Sequence, residues 1–152
     1  MVAGNMGTKN KMNYTIMGNT VNLAARLEGV NKQYGTWILA SEDTVKETGD
    51  RILARKLDRV RVVGINEPVR LCELQELADN APAELQEQTE IFHQALSLFE
   101  QRDWNAAARI FGKALEKHPN DRPSLLYQKR CRQYLQAPPE DDWDGVYNLN
   151  EK

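Results

Sequence analysis

The sequence predicts an α+β protein in two parts, a mixed α/β layer followed by a small all-α unit, and three observations carry that prediction. Residues 1–77 alternate short runs rich in Val, Leu and Ile with helical stretches, and Gly, Pro and Asn punctuate them. Composition then shifts at Ala78-Asp79-Asn80-Ala81-Pro82-Ala83, a polar segment containing Pro. Beyond it, Ala and aromatic residues recur at helical spacing. The expected division is an α/β part over 1–77, a linker over 78–89, a helical unit over 90–137 and an acidic, aromatic tail over 138–152.

Residues 1–7 and 12–17 read as two short strands joined by the polar connection Thr8-Lys9-Asn10-Lys11. Gly4 and Gly7 are strand and turn glycines, because no Gly-Lys-Ser/Thr ending follows to make a phosphate loop. Asn19 or Thr20 can cap a helix that runs to Tyr34 and stops at Gly35. Its core stripe is Leu23, Leu27, Val30 and Tyr34. Thr36 to Ala40 reads as a strand. Ser41 then caps a short helix whose first turn carries Glu42 and Asp43, a favourable charge at that end of the dipole. Residues 52–63 and 68–77 supply two further strands.

Length and composition narrow the function classes. At 152 residues, 41% of them hydrophobic, the chain holds one ordinary domain or two small ones and has enough apolar surface to fold. A net charge of −2, with Lys and Arg scattered along the chain, argues against nucleic acid as a partner. No apolar run of about 18 residues and no signal-peptide pattern at Met1-Val2-Ala3-Gly4 is present, so the chain reads as cytoplasmic. Cys72 and Cys131 fall in different parts. His93 and His118 stand too far from other ligand types to make a zinc site, so no metal is expected on this chain and the thiols read as idle.

In the helical half, Ala95, Leu98, Trp104, Ala107, Phe111, Ala114 and Pro119 resemble the positions of a tetratricopeptide-type hairpin, with Gln101-Arg102-Asp103 as the turn. A third helix is expected from Pro123 to Leu135, with Leu125, Leu126, Tyr127, Cys131 and Leu135 as candidate buried residues. About three repeats make a free-standing solenoid, so a single one is expected to bury its face against the α/β half or a protein partner. In the tail, Trp143 and Tyr147 are expected to pin Pro138-Pro139-Glu140-Asp141-Asp142 onto the helices; the acids match no calcium-loop spacing.

The chemistry concentrates in Tyr14-Thr15-Ile16-Met17-Gly18-Asn19-Thr20-Val21-Asn22-Leu23-Ala24-Ala25-Arg26. Asn22 and Arg26 stand four apart at a helix start and share one face. An isolated pair of this kind is what the solvated side of any amphipathic helix offers, but a directed amide beside a permanent forked cation also suits a triphosphate under attack. The segment closely resembles the stretch of class III nucleotidyl cyclases written as Tyr, a base-reading residue, then Gly-Asn/Asp-Thr-Val-Asn-x-Ala-x-Arg. Val2-Ala3-Gly4-Asn5-Met6-Gly7-Thr8 is similar to that family's glycine-bearing strand, and Arg61-Val62-Val63-Gly64 with Glu67-Pro68-Val69-Arg70-Leu71-Cys72-Glu73-Leu74 to its closing strands. The resemblance covers residues 1–77, about half of the chain.

The resemblance implies a partial ferredoxin-like cyclase layer and a role for each matching residue. Asn22 orients the ribose and its 3′ oxygen, Arg26 stabilises the transition-state phosphate, and Thr15 stands where the family reads the purine. Thr there looks like the bacterial adenylate cyclase variety, which favours ATP. Where many members carry a Lys beside the closing-strand glycine, Val63 and Ile65 flank Gly64, leaving Arg61 as the substitute phosphate contact. The family uses two divalent ions (Mg or Mn), held by two aspartates on earlier strands, and a base-contacting Lys also lies upstream. Its site forms between two cyclase domains, so a homodimer is implied and this chain alone is expected to be inactive. A parent protein anchored in a membrane through upstream segments fits the same picture. The alternatives are a degenerate cyclase-like scaffold whose helical unit docks a protein, and a guanylate cyclase.

Overall fold

Gly35 takes a φ of 64°, a left-handed conformation open to glycine, and so closes the helical residues 30–34 (α1). The computed structural model describes residues 30–62 and 67–149. The strands expected at 1–7 and 12–17 and the site residues Thr15, Asn22 and Arg26 lie outside them. Val30 and Tyr34 are buried, as the apolar stripe requires. Thr36 does not begin the strand expected from Thr36 to Ala40. Its amide donates to Asn31 O at 3.0 Å and its hydroxyl to Asn31 Oδ1 at 2.8 Å, so it finishes the helix end. Strand β1 is therefore shorter, Leu39–Ser41.

Ser41 caps α2 (Glu42–Glu47), its hydroxyl accepting from the Thr44 amide at 3.3 Å. After a single 3-10 turn at Gly49–Arg51 come β2 (Ile52–Val62) and β3 (Val69–Leu77). A last strand, β4 (Val146–Leu149), returns from the far end of the chain. The sheet order is β1-β3-β2-β4, antiparallel except for the parallel β2–β4 pair. The described residues divide into two units, one ending at Ala78 and taking back β4, the other Asp79–Gly145.

The β2–β3 register carries a bulge that matters for the site. Lys56 pairs with Cys72 and Arg59 with Arg70, which leaves Leu57 and Asp58 together opposite Leu71. Both are buried. The bulge lets two consecutive side chains leave solvent where plain alternation would bury one. Leu39, Leu57, Val60 and Leu71 make the apolar core of this unit.

The helical unit contains α3 (Ala83–Glu100), α4 (Trp104–Lys117) and α5 (Arg122–Gln136). Helix α3 starts inside the span read as linker, because Ala83-Glu84-Leu85-Gln86-Glu87 are strong helix formers that follow directly on Pro82. Asp103 and Asp121 cap α4 and α5, accepting from the amides of Ala106 at 3.1 Å and Ser124 at 3.2 Å. The core is aromatic. Phe92 and Phe111 meet edge to face at 5.5 Å, Phe111 stacks on Tyr127 at 5.4 Å, and Phe99 meets Tyr127 edge to face at 5.1 Å. Ala95, Ala107 and Ala114 are buried where helices approach.

Helix α5 differs from expectation on two leucines. Tyr127 and Cys131 are buried, but Leu125 and Leu135 are 44% and 51% exposed, and Ser124 and Arg130 are buried instead. At 3.6 residues per turn the inward arc centres on Tyr127; Leu125 falls on the far side, and Leu135 falls just past the arc in the last turn. The tail also divides. Trp143 packs among Phe99, Trp104 and Tyr134, whereas Tyr147 sits in β4 opposite Val60 of the sheet. Among the described residues no helix is long and apolar enough to cross a membrane.

Candidate functional site

Of the four residues the sequence singles out, Thr15, Asn22 and Arg26 lie outside the described residues and Arg61 lies within them. Arg61 is half-buried near the end of β2, opposite Asn148 of β4. The alternation of a strand puts it on the face shared with Arg59 and its cross-strand partner Arg70, the reverse of the face carrying Asp58 and Val60. The Arg70 guanidinium donates to the Leu57 carbonyl at 2.7 Å across the bulge.

The other face holds α1 in place. The Tyr34 hydroxyl donates to Asp58 Oδ2 at 2.5 Å, with both groups buried, and joins the last residue of α1 to the middle of β2. One residue before the bulge pair is Lys56, and beside it Arg55 forms a buried ion pair with Glu73, Nε and Nη2 reaching the same carboxylate oxygen at 2.8 and 2.6 Å. Such a pair is costly to break from one side, because the survivor is left as a desolvated charge. Phe in place of Tyr34 is expected to lower stability by about 1–3 kcal/mol, the cost of leaving a buried acceptor short of its donor. Urea unfolding checks this; a midpoint equal to that of the unaltered protein contradicts the anchoring role.

These anchors were missed in the sequence. A signal was available for Arg55 and Glu73, charges at positions where β2 and β3 alternate toward the core. None was available for Asp58, whose burial depends on the bulge.

Between α2 and the sheet lies a cavity of about 350 Å³ whose lining includes Cys72, Ala54, Lys46 and Lys56. Glu42 faces both lysines, at 3.8 Å from Lys46 and 3.4 Å from Lys56, so one carboxylate offsets part of the lysine charge there. Burial, reinforced by Glu42, pushes the Cys72 thiol up to about 11, and burial pushes Cys131 up to about 12. Both thiols stay protonated at neutral pH and lack the thiolate that nucleophilic chemistry needs. Among the described residues no group of three or more His, Cys, Asp and Glu side chains could hold a metal ion.

Comparison with known proteins adds what these residues alone do not. Over 140 residues, 90% of its length, the chain is 31% identical to the terminal-differentiation-specific adenylate cyclase of Dictyostelium discoideum. Over 63 residues it is 46% identical to adenylate cyclase 1 of Rhizobium meliloti (strain 1021), and over 77 residues 34% identical to the adenylate cyclase of Anabaena cylindrica. The chain is related to proteins named adenylate cyclase. These alignments cover 90%, 41% and 49% of the chain, and the chain spans only 7%, 10% and 15% of those relatives. No family model matches the chain. No solved structure matches it.

Proposed function

We propose that this chain is the C-terminal part of a bacterial class III adenylate cyclase, a homodimeric enzyme that converts ATP to cyclic AMP and pyrophosphate. The observation that carries the reading is the similarity, over 90% of the chain, to one protein named adenylate cyclase and over shorter stretches to others, taken with the Asn22 and Arg26 pair in the sequence. In the reaction the ribose 3′ oxygen loses its proton and bonds to the α-phosphorus, while the bond from that phosphorus to pyrophosphate breaks. On this reading Asn22 orients the ribose, Arg26 neutralises charge that builds on the phosphate, Thr15 reads the purine edge and Arg61 contacts the outgoing phosphates. The pair of divalent ions that the family uses would be held by the family's two aspartates and would supply charge stabilisation at the phosphates. Its aspartates belong to strands that precede this region, and the isolated chain is accordingly expected to be inactive.

The Tyr34–Asp58 bond gives this reading a physical support, since it fixes the end of the helix that the sequence predicts to carry Asn22 and Arg26. The reading is tested by titrating the full-length protein with ATP and with GTP. ATP is the expected better substrate, and Ala in place of Thr15 is expected to shift the ATP to GTP ratio by about three- to tenfold, the worth of one hydrogen bond. A preference for GTP, or a ratio unmoved by the change, contradicts the assignment of Thr15.

A further inference from the structure

Arg102, on the turn between α3 and α4, holds a charge that no carboxylate meets. Its Nη2 donates to the carbonyls of Pro139 at 3.0 Å and Glu140 at 3.2 Å, and its Nη1 to that of Asp141 at 3.2 Å. All three acceptors are neutral. Glu140, Asp141 and Asp142 are exposed, and the guanidinium makes no ion pair with them or with any other acid among the described residues. A forked cation binds a carboxylate more strongly than it binds amide oxygens. Its backbone takes a φ of 66°, the one positive value outside glycine among the described residues, so an arginine stands where a turn ordinarily places Gly or Asn.

A second unmet group lies beside it. Trp104 is buried, and its indole N–H has no acceptor among the described residues. A buried donor left unpaired is unfavourable. The Arg102 guanidinium lies 5.5 Å from the ring centre of Trp104 and 5.8 Å from that of Trp143, so one incoming segment can serve both groups. Phe99 and Tyr134 complete the surround, their rings 5.8 and 5.5 Å from that of Trp143. The arrangement is an aromatic seat with a cation at its edge. Residues 139–143 occupy it, supplying a ring and three carbonyls but neither a carboxylate for Arg102 nor an acceptor for Trp104. Every group named lies within the Asp79–Gly145 unit.

We propose that this seat is a docking site for a segment of another protein that sets an acidic side chain beside an aromatic one, with residues 138–144 as its resident competitor. Charge complementarity selects the occupant. The incoming carboxylate takes the Arg102 fork in place of the three carbonyls, its neighbouring ring takes the place of Trp143, and one of its oxygens accepts from the Trp104 indole. The resident segment shows the form that fits, an extended stretch led by two prolines, a kind of peptide that docks on aromatic surfaces at low entropic cost. A second copy of this chain is the poorer source, because its own segment runs between α5 and β4 and presents no free end. The inference uses the helical unit alone and is independent of any nucleotide chemistry.

A fluorescein-labelled peptide of residues 138–144, titrated into the full chain and read by polarisation, tests it. Untethered, the peptide can set one of its acids on Arg102. W143A and W143L loosen the resident segment and are expected to bind the peptide about ten- to a hundredfold more tightly than the unaltered protein, as removal of a tethered competitor implies. A peptide carrying E140Q, D141N, D142N and D144N is expected to bind W143A at least about tenfold more weakly than the acidic one, the worth of a hydrogen bond to a charged group. Adding R102G to W143A is expected to cost as much, since Gly accepts the turn conformation and removes the guanidinium alone. No binding to either Trp143 variant, an amide peptide that binds as tightly as the acidic one, or affinity unmoved by R102G would overturn the site. Loss of the helical far-UV signal in both Trp143 variants would also overturn it, by making the segment part of the core instead of a displaceable occupant.

Discussion

Replacing Arg26 by Ala in the full-length protein is expected to lower the rate of cyclic AMP formation by about 10² to 10³, the usual effect of deleting one preorganised donor from a transition-state clamp. The expected effect is electrostatic. Charge develops on the phosphate oxygens as the ring closes, and a guanidinium already in place stabilises it with no reorganisation at that moment. Because such a contact strengthens in the transition state, kcat is expected to fall while KM for ATP changes little. Lys at the same position is expected to recover part of the rate, since charge is kept but the fork is lost. Steady-state kinetics with ATP checks both variants. Turnover of the Ala variant equal to that of the unaltered protein would remove Arg26 from the mechanism.

The largest stability effect is expected in the helical unit, from Phe111→Ala. Phe111 is fully buried and contacts Phe92 and Tyr127 on the two flanking helices, so truncation opens a cavity at the point where α3, α4 and α5 meet. Changes of this kind cost about 3–5 kcal/mol, partly from lost transfer energy and partly from the void. A typical domain holds only about 5–15 kcal/mol in total, so most of the unit's stability is at stake. Leu at the position is expected to cost much less because it refills most of the volume. Urea unfolding followed by the fluorescence of Trp104 and Trp143 reads the effect, as Trp104 is buried in the native unit and becomes solvated when it opens. An unfolding midpoint within error of the unaltered protein would contradict the placement of Phe111 at the centre of this core.

How far the fold was legible depends on whether local residues or long-range partners decide each element. The helices of the second unit were legible because Ala95, Ala107, Phe111 and Tyr127 recur at helical spacing, whereas the caps Asp103 and Asp121 emerge only from the structure. The closing strands were legible from their runs of Val and Leu. Pairing was not. The bulge that buries Asp58 beside Leu57, and the return of residues 146–149 to the sheet, arise from partners distant in sequence, which no local pattern encodes. The burial of Arg130 and exposure of Leu135 show the same limit at side-chain scale, since residue type alone would have placed each the other way.

The candidate site divides along the same line. Asn22 and Arg26 are conspicuous because their chemistry and spacing match a recognised pattern, and Arg61 only because a Lys is missing nearby. The groups that brace the scaffold carry no motif: Arg55 and Glu73 are marked only as charges at inward strand positions, and Tyr34 with Asp58 emerges only once a helix end and a strand are placed together. Arg102 belongs with them. In the sequence it is one member of a polar turn, and its use becomes visible only when the carbonyls of Pro139, Glu140 and Asp141 are seen around it.

The central claim, that Asn22 and Arg26 grip a nucleotide during ring closure, is tested most directly by assaying products. The full-length protein is incubated with ATP and a divalent metal, and cyclic AMP and pyrophosphate are quantified for it and for the Asn22→Ala, Arg26→Ala double variant. The expected result is equimolar cyclic AMP and pyrophosphate from the unaltered protein and a loss of at least about 10² in the double variant. Cyclic AMP formed at an undiminished rate by the double variant, or none formed by the unaltered protein, would contradict the claim.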